Sequence, residues 1–239
     1  MNILITVCAR GGSKGIPGKN IKLLNSKPLI LYTIDSAERF MEYQPNSDLQ
    51  LSTDNEEIAK TVADAGYPTS YRRPAQLASD NAGKIDAIKD AWRYAESFYN
   101  KQYDFVIDLD VTSPLRNLND LKSAYIQLNN NPIAMNVFSV SPANRNPYFN
   151  MVELKEDGYV KIVKNAGDIK SRQQAPLVFD MNASFYIFSR KFMEEDYHTS
   201  ITEKSLAYVM DHVCFDLDHP MDFTMMELLL KNNLLDFEL

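Results

Sequence analysis

The stretch from Ile5 to Asn20, ITVCARGGSKGIPGKN, joins an apolar run to a loop holding four of the chain's eight glycines together with Arg10, Lys14 and Lys19. Glycines let backbone N–H groups turn toward an anion and the cations neutralise it, so this loop suits phosphate. It is not a dinucleotide fingerprint, because Arg10 stands where a glycine is needed. It is not a Walker A loop either: Gly18-Lys19 fits, but Ser13 stands where glycine is required and Asn20 where a hydroxyl residue is required. The plainer alternative is a surface turn with solvated cations. In a chain of net charge −7, however, positive charge gathered in one loop points to an anionic ligand.

Far along the chain, Asp216-Leu217-Asp218 sets two carboxylates at i and i+2, which share one face of a strand. Such a pair repels itself unless a cation lies between, and Mg²⁺ is held by one or two carboxylates plus waters and phosphate oxygens. Alone the pair reads as an acidic strand end in solvent; opposite a phosphate loop it reads as a metal site. His212 and His219 read as surface residues, since Mg²⁺ prefers oxygen. Asp108 and Asp110 repeat the spacing. Asp108 falls inside an apolar run and reads as structural, whereas Asp110 is placed to reach a ligand. Thr112 and Ser113 offer hydroxyls to a carboxylate or sugar, and Arg116 either caps their loop or pairs with an acid. Arg172-Gln173-Gln174 combines guanidinium and amide, which suits bidentate recognition of an oxyanion, the alternative being an exposed linker. Asn182, Ser184 and Tyr186 alternate on one strand face and suit polyol recognition, or equally a solvated face.

These groups need a scaffold that gathers them. Apolar runs at 3–8, 49–52, 69–72 and 105–109 read as strands, and amphipathic periodicity predicts helices at 29–40, 56–65, 84–98 and 118–128. This βαβα rhythm predicts an α/β fold with a mostly parallel sheet flanked by helices. In open α/β sheets ligands bind beyond the carboxyl ends of strands, and that is where the loop, Asp110 and Asp216 fall. Further strands are predicted at 134–140, 183–188 and 213–217, with a closing helix at 223–235. Residues 193–206 are polar and loosely patterned. Residues 150–163 predict a hairpin turning at Glu156-Asp157-Gly158. The expectation is one domain over 1–239, with an antiparallel excursion at 141–175 acting as a lid or a dimer arm.

An acidic pI near 5.0 argues against a general nucleic-acid binder. No window approaches eighteen apolar residues, and no signal-peptide pattern opens the chain, so a soluble cytoplasmic protein is expected. Cys8 and Cys214 are too few for a disulfide framework and read as buried thiols; Cys8 has no histidine nearby in sequence to make it a nucleophile.

The motifs ARGGSKGIPGKN (9–20), STD (52–54), RRPAQLASD (72–80), TSPLR (112–116), RQQAP (172–176), NASFYIF (182–188) and DLDHPMDF (216–223) occur in the order seen in the acylneuraminate cytidylyltransferases. The chain resembles that family along its whole length. DLDVTSPLR, NRNPYFN and DMNASFYIFSR look most like a bacterial branch acting on legionaminic acid. The resemblance implies a nucleotide-diphospho-sugar transferase type of fold and a reaction of CTP with a nine-carbon 2-keto sugar acid, giving the CMP-sugar and pyrophosphate. It implies that Arg10, Gly12, Ser13, Lys14, Lys19 and Asn20 hold the triphosphate, with Arg73, Ser79 and Asp80 by the cytidine. Asp110, Thr112 and Ser113 would meet the sugar acid, with Gln173, Asn182 and Tyr186 nearby, and Arg172 would offset charge at the reacting end. Asp216 and Asp218 would hold Mg²⁺, and the enzyme would be a homodimer. One departure stands out: many sialic acid enzymes have Gln-Pro-Thr-Ser-Pro where this chain has Asp110-Val111-Thr112-Ser113-Pro114. An acid lacks the donors of an amide and repels a substrate carboxylate. Alternatives within reach are a transferase for KDO or pseudaminic acid, and a non-catalytic nucleotide-binding module of the same fold. A nicotinamide-dependent reductase fits poorly, for want of the fingerprint glycine.

Overall fold

The computed structural model describes residues 1–12, 15–165 and 167–239. In chain order the elements are β1 (Ile3–Cys8), the two-residue strands β2 (Leu23–Leu24) and β3 (Lys27–Pro28), α1 (Leu29–Tyr43), β4 (Ser47–Ser52), α2 (Glu56–Asp64), α3 (Lys84–Tyr99), β5 (Phe105–Leu109), α4 (Leu118–Asn129), β6 (Asn136–Pro142), β7 (Val152–Leu154), β8 (Val160–Ile162), β9 (Phe179–Ser189), α5 (Arg190–Glu194), β10 (Ser205–Val209) and α6 (Pro220–Lys231). Six strands make one sheet in the order β10-β6-β9-β5-β1-β4. β1 runs parallel to β4 and β5, and β10 parallel to β6. Only β9, wedged between β5 and β6, runs antiparallel to its neighbours. The predicted mostly parallel α/β sheet is therefore present.

Both faces of the sheet are buried, which explains why β1 reads as a continuous apolar run rather than an alternation. Ile3, Ile5 and Val7 pack with Leu29, Ile34 and Phe40 of α1 and Leu121 of α4. Leu4 and Val106 pack on the other face with Ile85, Ile88 and Trp92 of α3. Each such side chain contributes roughly 1.5–3 kcal/mol on burial. Helix starts follow local chemistry. Asn55 accepts the Ile58 N–H to cap α2, and Asn117 with Asp120 forms a reciprocal capping box on α4. Asp222 accepts the backbone N–H groups of Asp218 and His219 and so fixes the entry to α6.

The predicted strand at 69–72 is an extended loop instead: it runs beside β4, where the Gln50 amide bonds to Thr69 Oγ1 at 2.9 Å. The predicted strand at 213–217 has no ladder; it is tied to the sheet's end by Leu217 N–H on the Thr112 carbonyl at 2.8 Å. β10 was not anticipated. It is an edge strand and only partly buried, and its short apolar run, Leu206 to Met210, adjoins the polar stretch before it. β9 reaches further than predicted and carries an irregularity: Ala183 has φ 55, and the pairing with β6 slips between Phe138 and Val140. β7 and β8 form the predicted hairpin as a separate two-stranded sheet.

Candidate active site

β1 and β4 end side by side, and their loops build one wall of a cleft. Ala9 N–H bonds to the Ser52 carbonyl and Gly11 N–H to the Asp54 carboxylate, both at 2.9 Å. Buried Asn20 donates its amide to the Arg10 carbonyl at 2.9 Å, closing the glycine-rich loop on itself. Arg10 Nη1 lies 2.9 Å from Asp80 Oδ1, which ties the loop to the segment before α3. Gly12 borders open space, and Ser79 donates its hydroxyl to the Gln76 carbonyl. Ser13 and Lys14 lie outside the described residues. Arg73 is buried and spends its guanidinium on Ser52, with Nε 3.0 Å from Oγ and Nη2 2.7 Å from the carbonyl oxygen. A cleft of 210 Å³ opens among Cys8, Arg10, Arg73, Asp80, Lys84 and Asp110.

The loop meets the distant acidic pair directly. Lys19 Nζ lies 3.2 Å from Asp218 Oδ1. A Cβ on Gly15 would come within 2.6 Å of the Asp218 carbonyl, so only glycine allows the two backbones to approach this closely. Leu217 is buried while Asp218 is exposed, as a pair flanking a buried leucine requires. Asp216 Oδ1 is buried without a hydrogen-bond partner among the described residues. Burial, with Asp110 and Asp218 close by, raises the Asp216 carboxyl to about 6. An orphaned acid oxygen repelled by neighbouring acids is the environment a divalent cation relieves, so the implied Mg²⁺ fits Asp216 and Asp218. Three potential metal-ligating side chains also converge at Asp120, Asp211 and His212, but Asp120 there already accepts from Tyr208, Asn117 and His212.

A residue that sequence reasoning missed stands at the centre. Lys84 Nζ lies 2.7 Å from Asp110 Oδ2 and 3.0 Å from Asp108 Oδ2, with its charge 4.7 Å above the Tyr186 ring. Burial works against ionised Asp110, but Lys84 and the Thr112 amide and hydroxyl outweigh it and hold the carboxyl at about 2. Thr112 therefore serves Asp110. Beneath them Arg116 is fully buried, and its guanidinium donates to the carbonyls of Asp110 and Ser184; it caps the loop. Ser113 is buried, with its hydroxyl 2.8 Å from the Asn182 carbonyl. Cys8 lines the cleft, but burial pushes its thiol up to about 12, where it is no nucleophile.

The expected row of Asn182, Ser184 and Tyr186 is broken by the irregularity at Ala183. Asn182 turns to Ser141 and Met210, Ser184 to the Ser113 carbonyl, and Tyr186 packs against the opposite face with α3. Arg172 and Gln173 are exposed on a single 3₁₀ turn, and the Arg172 guanidinium donates to the Asn144 carbonyl within the excursion. A second cavity, of 230 Å³, lies across Lys84 from the first; Ile85, Ile88, Tyr186 and Phe188 give it apolar walls.

Residues 4–234 match the cytidylyltransferase family. The chain is 40% identical over 232 residues to post-translational flagellin modification protein B of Campylobacter coli, covering 96% of this chain and 95% of that protein. It is 38% identical over 231 residues to the CMP-N,N'-diacetyllegionaminic acid synthase of Campylobacter jejuni, at the same coverage. Among solved structures, a CMP:2-keto-3-deoxy-manno-octonic acid synthetase complexed with CTP superposes with a TM-score of 0.69 at 13% identity, covering 98% of this chain and 100% of that one, a likeness of fold. By that match along nearly its whole length and by these relatives, this chain belongs to the cytidylyltransferase family.

Proposed function

We propose that the protein activates a nine-carbon 2-keto sugar acid of the legionaminic or N-acetylneuraminic type, transferring CMP from CTP to its anomeric oxygen and releasing pyrophosphate. The observation that supports this reading is the contact of Lys19 with Asp218 at 3.2 Å, which brings the cationic, glycine-rich loop against the distant acidic segment. Arg10 and Lys19 neutralise the triphosphate while the anomeric hydroxyl attacks the α-phosphorus in line. Asp216 and Asp218 would hold Mg²⁺, which when bound supplies further charge neutralisation on the phosphate oxygens. Arg73, fixed on Ser52, and the loop of Ser79 and Asp80 form the wall assigned to the nucleoside. The apolar cavity beside Tyr186 offers room for acyl substituents, in keeping with a sugar acid bearing acetamido groups.

Two features of the wider setting belong to the same proposal. The β7–β8 hairpin exposes Leu154 at 75% and Tyr159 at 72%, with Met151, Val152 and Val160 beside them. An apolar arm of this kind suits a second copy of the chain, so the enzyme is proposed to be a homodimer. Among the described residues no helix is long and apolar enough to cross a membrane, and the sugar nucleotide is proposed to be made in the cytoplasm for surface glycan assembly. The test is pyrophosphate release from purified protein. CTP, Mg²⁺ and a nonulosonic acid are expected to be required together. Equal release from all four nucleoside triphosphates, or release without the sugar acid, would overturn the assignment.

A further inference from the structure

The nucleotide cleft and the apolar cavity share one residue, Lys84. If the foregoing assignment holds, CTP occupies the first and the sugar the second, so the reacting atoms meet at the boundary that Lys84 occupies. The attacking hydroxyl of a 2-keto sugar acid sits on C2, and the acid's carboxylate is bonded to that same carbon. A group at this boundary is therefore within reach of the carboxylate.

We propose that Lys84 is the specificity-determining residue for the substrate carboxylate, held in place by Asp108 and Asp110. An ammonium has three N–H donors. Asp110 takes one at 2.7 Å, while Asp108 Oδ2 lies 3.0 Å away as an ion-pair partner without hydrogen-bond geometry, leaving donors for a substrate oxygen. The acids do not need those donors. Asp108 also accepts from Thr6 Oγ1 at 2.8 Å, and Asp110 from the amide and hydroxyl of Thr112, each at 2.8 Å. Lys84 and the buried Arg116 beneath offset Asp108 and Asp110, and the further acid nearby, Asp216, is one the proposed function gives to Mg²⁺. Among the described residues that line the second cavity there is no other lysine or arginine, and His198 there is engaged by Asp86 and Asp196. This also accounts for the acid at position 110. It does not touch the substrate carboxylate, which it would repel, but aims the cation that does. Asp110 is on this view a positioning residue.

The test compares a keto sugar acid with its C1 carboxamide, using wild type, Lys84→Gln and Asp110→Asn. In Lys84→Gln, KM for the acid is expected to rise roughly 10- to 100-fold, as loss of a charge-assisted hydrogen bond implies. The preference for acid over carboxamide is expected to fall by a like factor, and KM for CTP to change less than threefold. A CTP KM that rises in step, or an unchanged acid preference, would overturn the proposal. Should Lys84→Gln fail to fold, as a melting curve would reveal, Asp110→Asn decides the matter. It leaves Asp108 to pair with Lys84, and it is expected to shift the acid-to-carboxamide ratio by at least severalfold; an unmoved ratio overturns the proposal. A wild-type protein that binds CTP yet turns over no keto sugar acid defeats the functional assignment itself, before any variant is made, and this proposal with it.

Discussion

Asp216 holds its proton more tightly than a free carboxyl because it is buried among acids, and this makes the protein's stability depend on pH in an uncommon direction. Its pKa is about 6 when folded, against 3.8 for an unperturbed group. The stabilisation from the protonated form is complete below pH 3.8 and is lost as pH rises through about 6. With divalent cations chelated, the melting temperature is therefore expected to fall between about pH 4 and pH 6 by roughly 2–4 °C per kcal/mol of linkage, discounted for partial exposure. Asp216→Asn is expected to remove that slope, and melting curves in EDTA across this range check it. Turnover by Asp218→Asn is expected to drop at least about a hundredfold with the melting temperature held within a degree or two, because Asp218 is exposed and its loss is chemical, not structural. Activity that ignores Mg²⁺ titration would refute both roles.

At the scale of elements, the critical joint is the contact between the loop after β1 and the segment entering α6. Gly15→Ala puts a methyl within 2.6 Å of the Asp218 carbonyl, so the two must separate. CTP affinity is expected to weaken at least about tenfold while the helices stay folded, read out by calorimetry beside circular dichroism. Much of this joint was legible in the sequence. The glycines and cations after β1 and the acids around Leu217 both stood out in the sequence, and these two segments are the ones that meet. Helices α1 to α4 showed their apolar periodicity, and β1 its double burial. Residues 213–217 misled because apolar alternation is also what a lone extended segment shows when one side packs on a sheet's end. β10 escaped because its apolar run, Leu206 to Met210, is short and adjoins the polar stretch before it, which masks its start. Lys84 escaped for another reason. A lysine at the first turn of an amphipathic helix looks like any solvated cation, and its partners Asp108 and Asp110 come from β5 and the loop beyond it, joined to it only by the parallel sheet.

For the molecule as a whole, the β7–β8 hairpin leaves apolar side chains exposed, Leu154 and Tyr159 most of all. Leu154→Asp together with Tyr159→Asp is expected to convert a dimeric mass to a monomeric one at micromolar concentration, measured by light scattering. The wild type running as a monomer would remove the dimer from the proposal. The sheet also sets where completeness resides. Lys19 and Asp218, which meet at 3.2 Å, are separated by 199 positions along the chain. A ribosome that has delivered all six strands of the sheet, which end at Val209, has yet to make the segment that brings Asp218 to the glycine-rich loop. If the proposed function holds, a polypeptide broken off at that point keeps its cationic loop but lacks the acid that meets it.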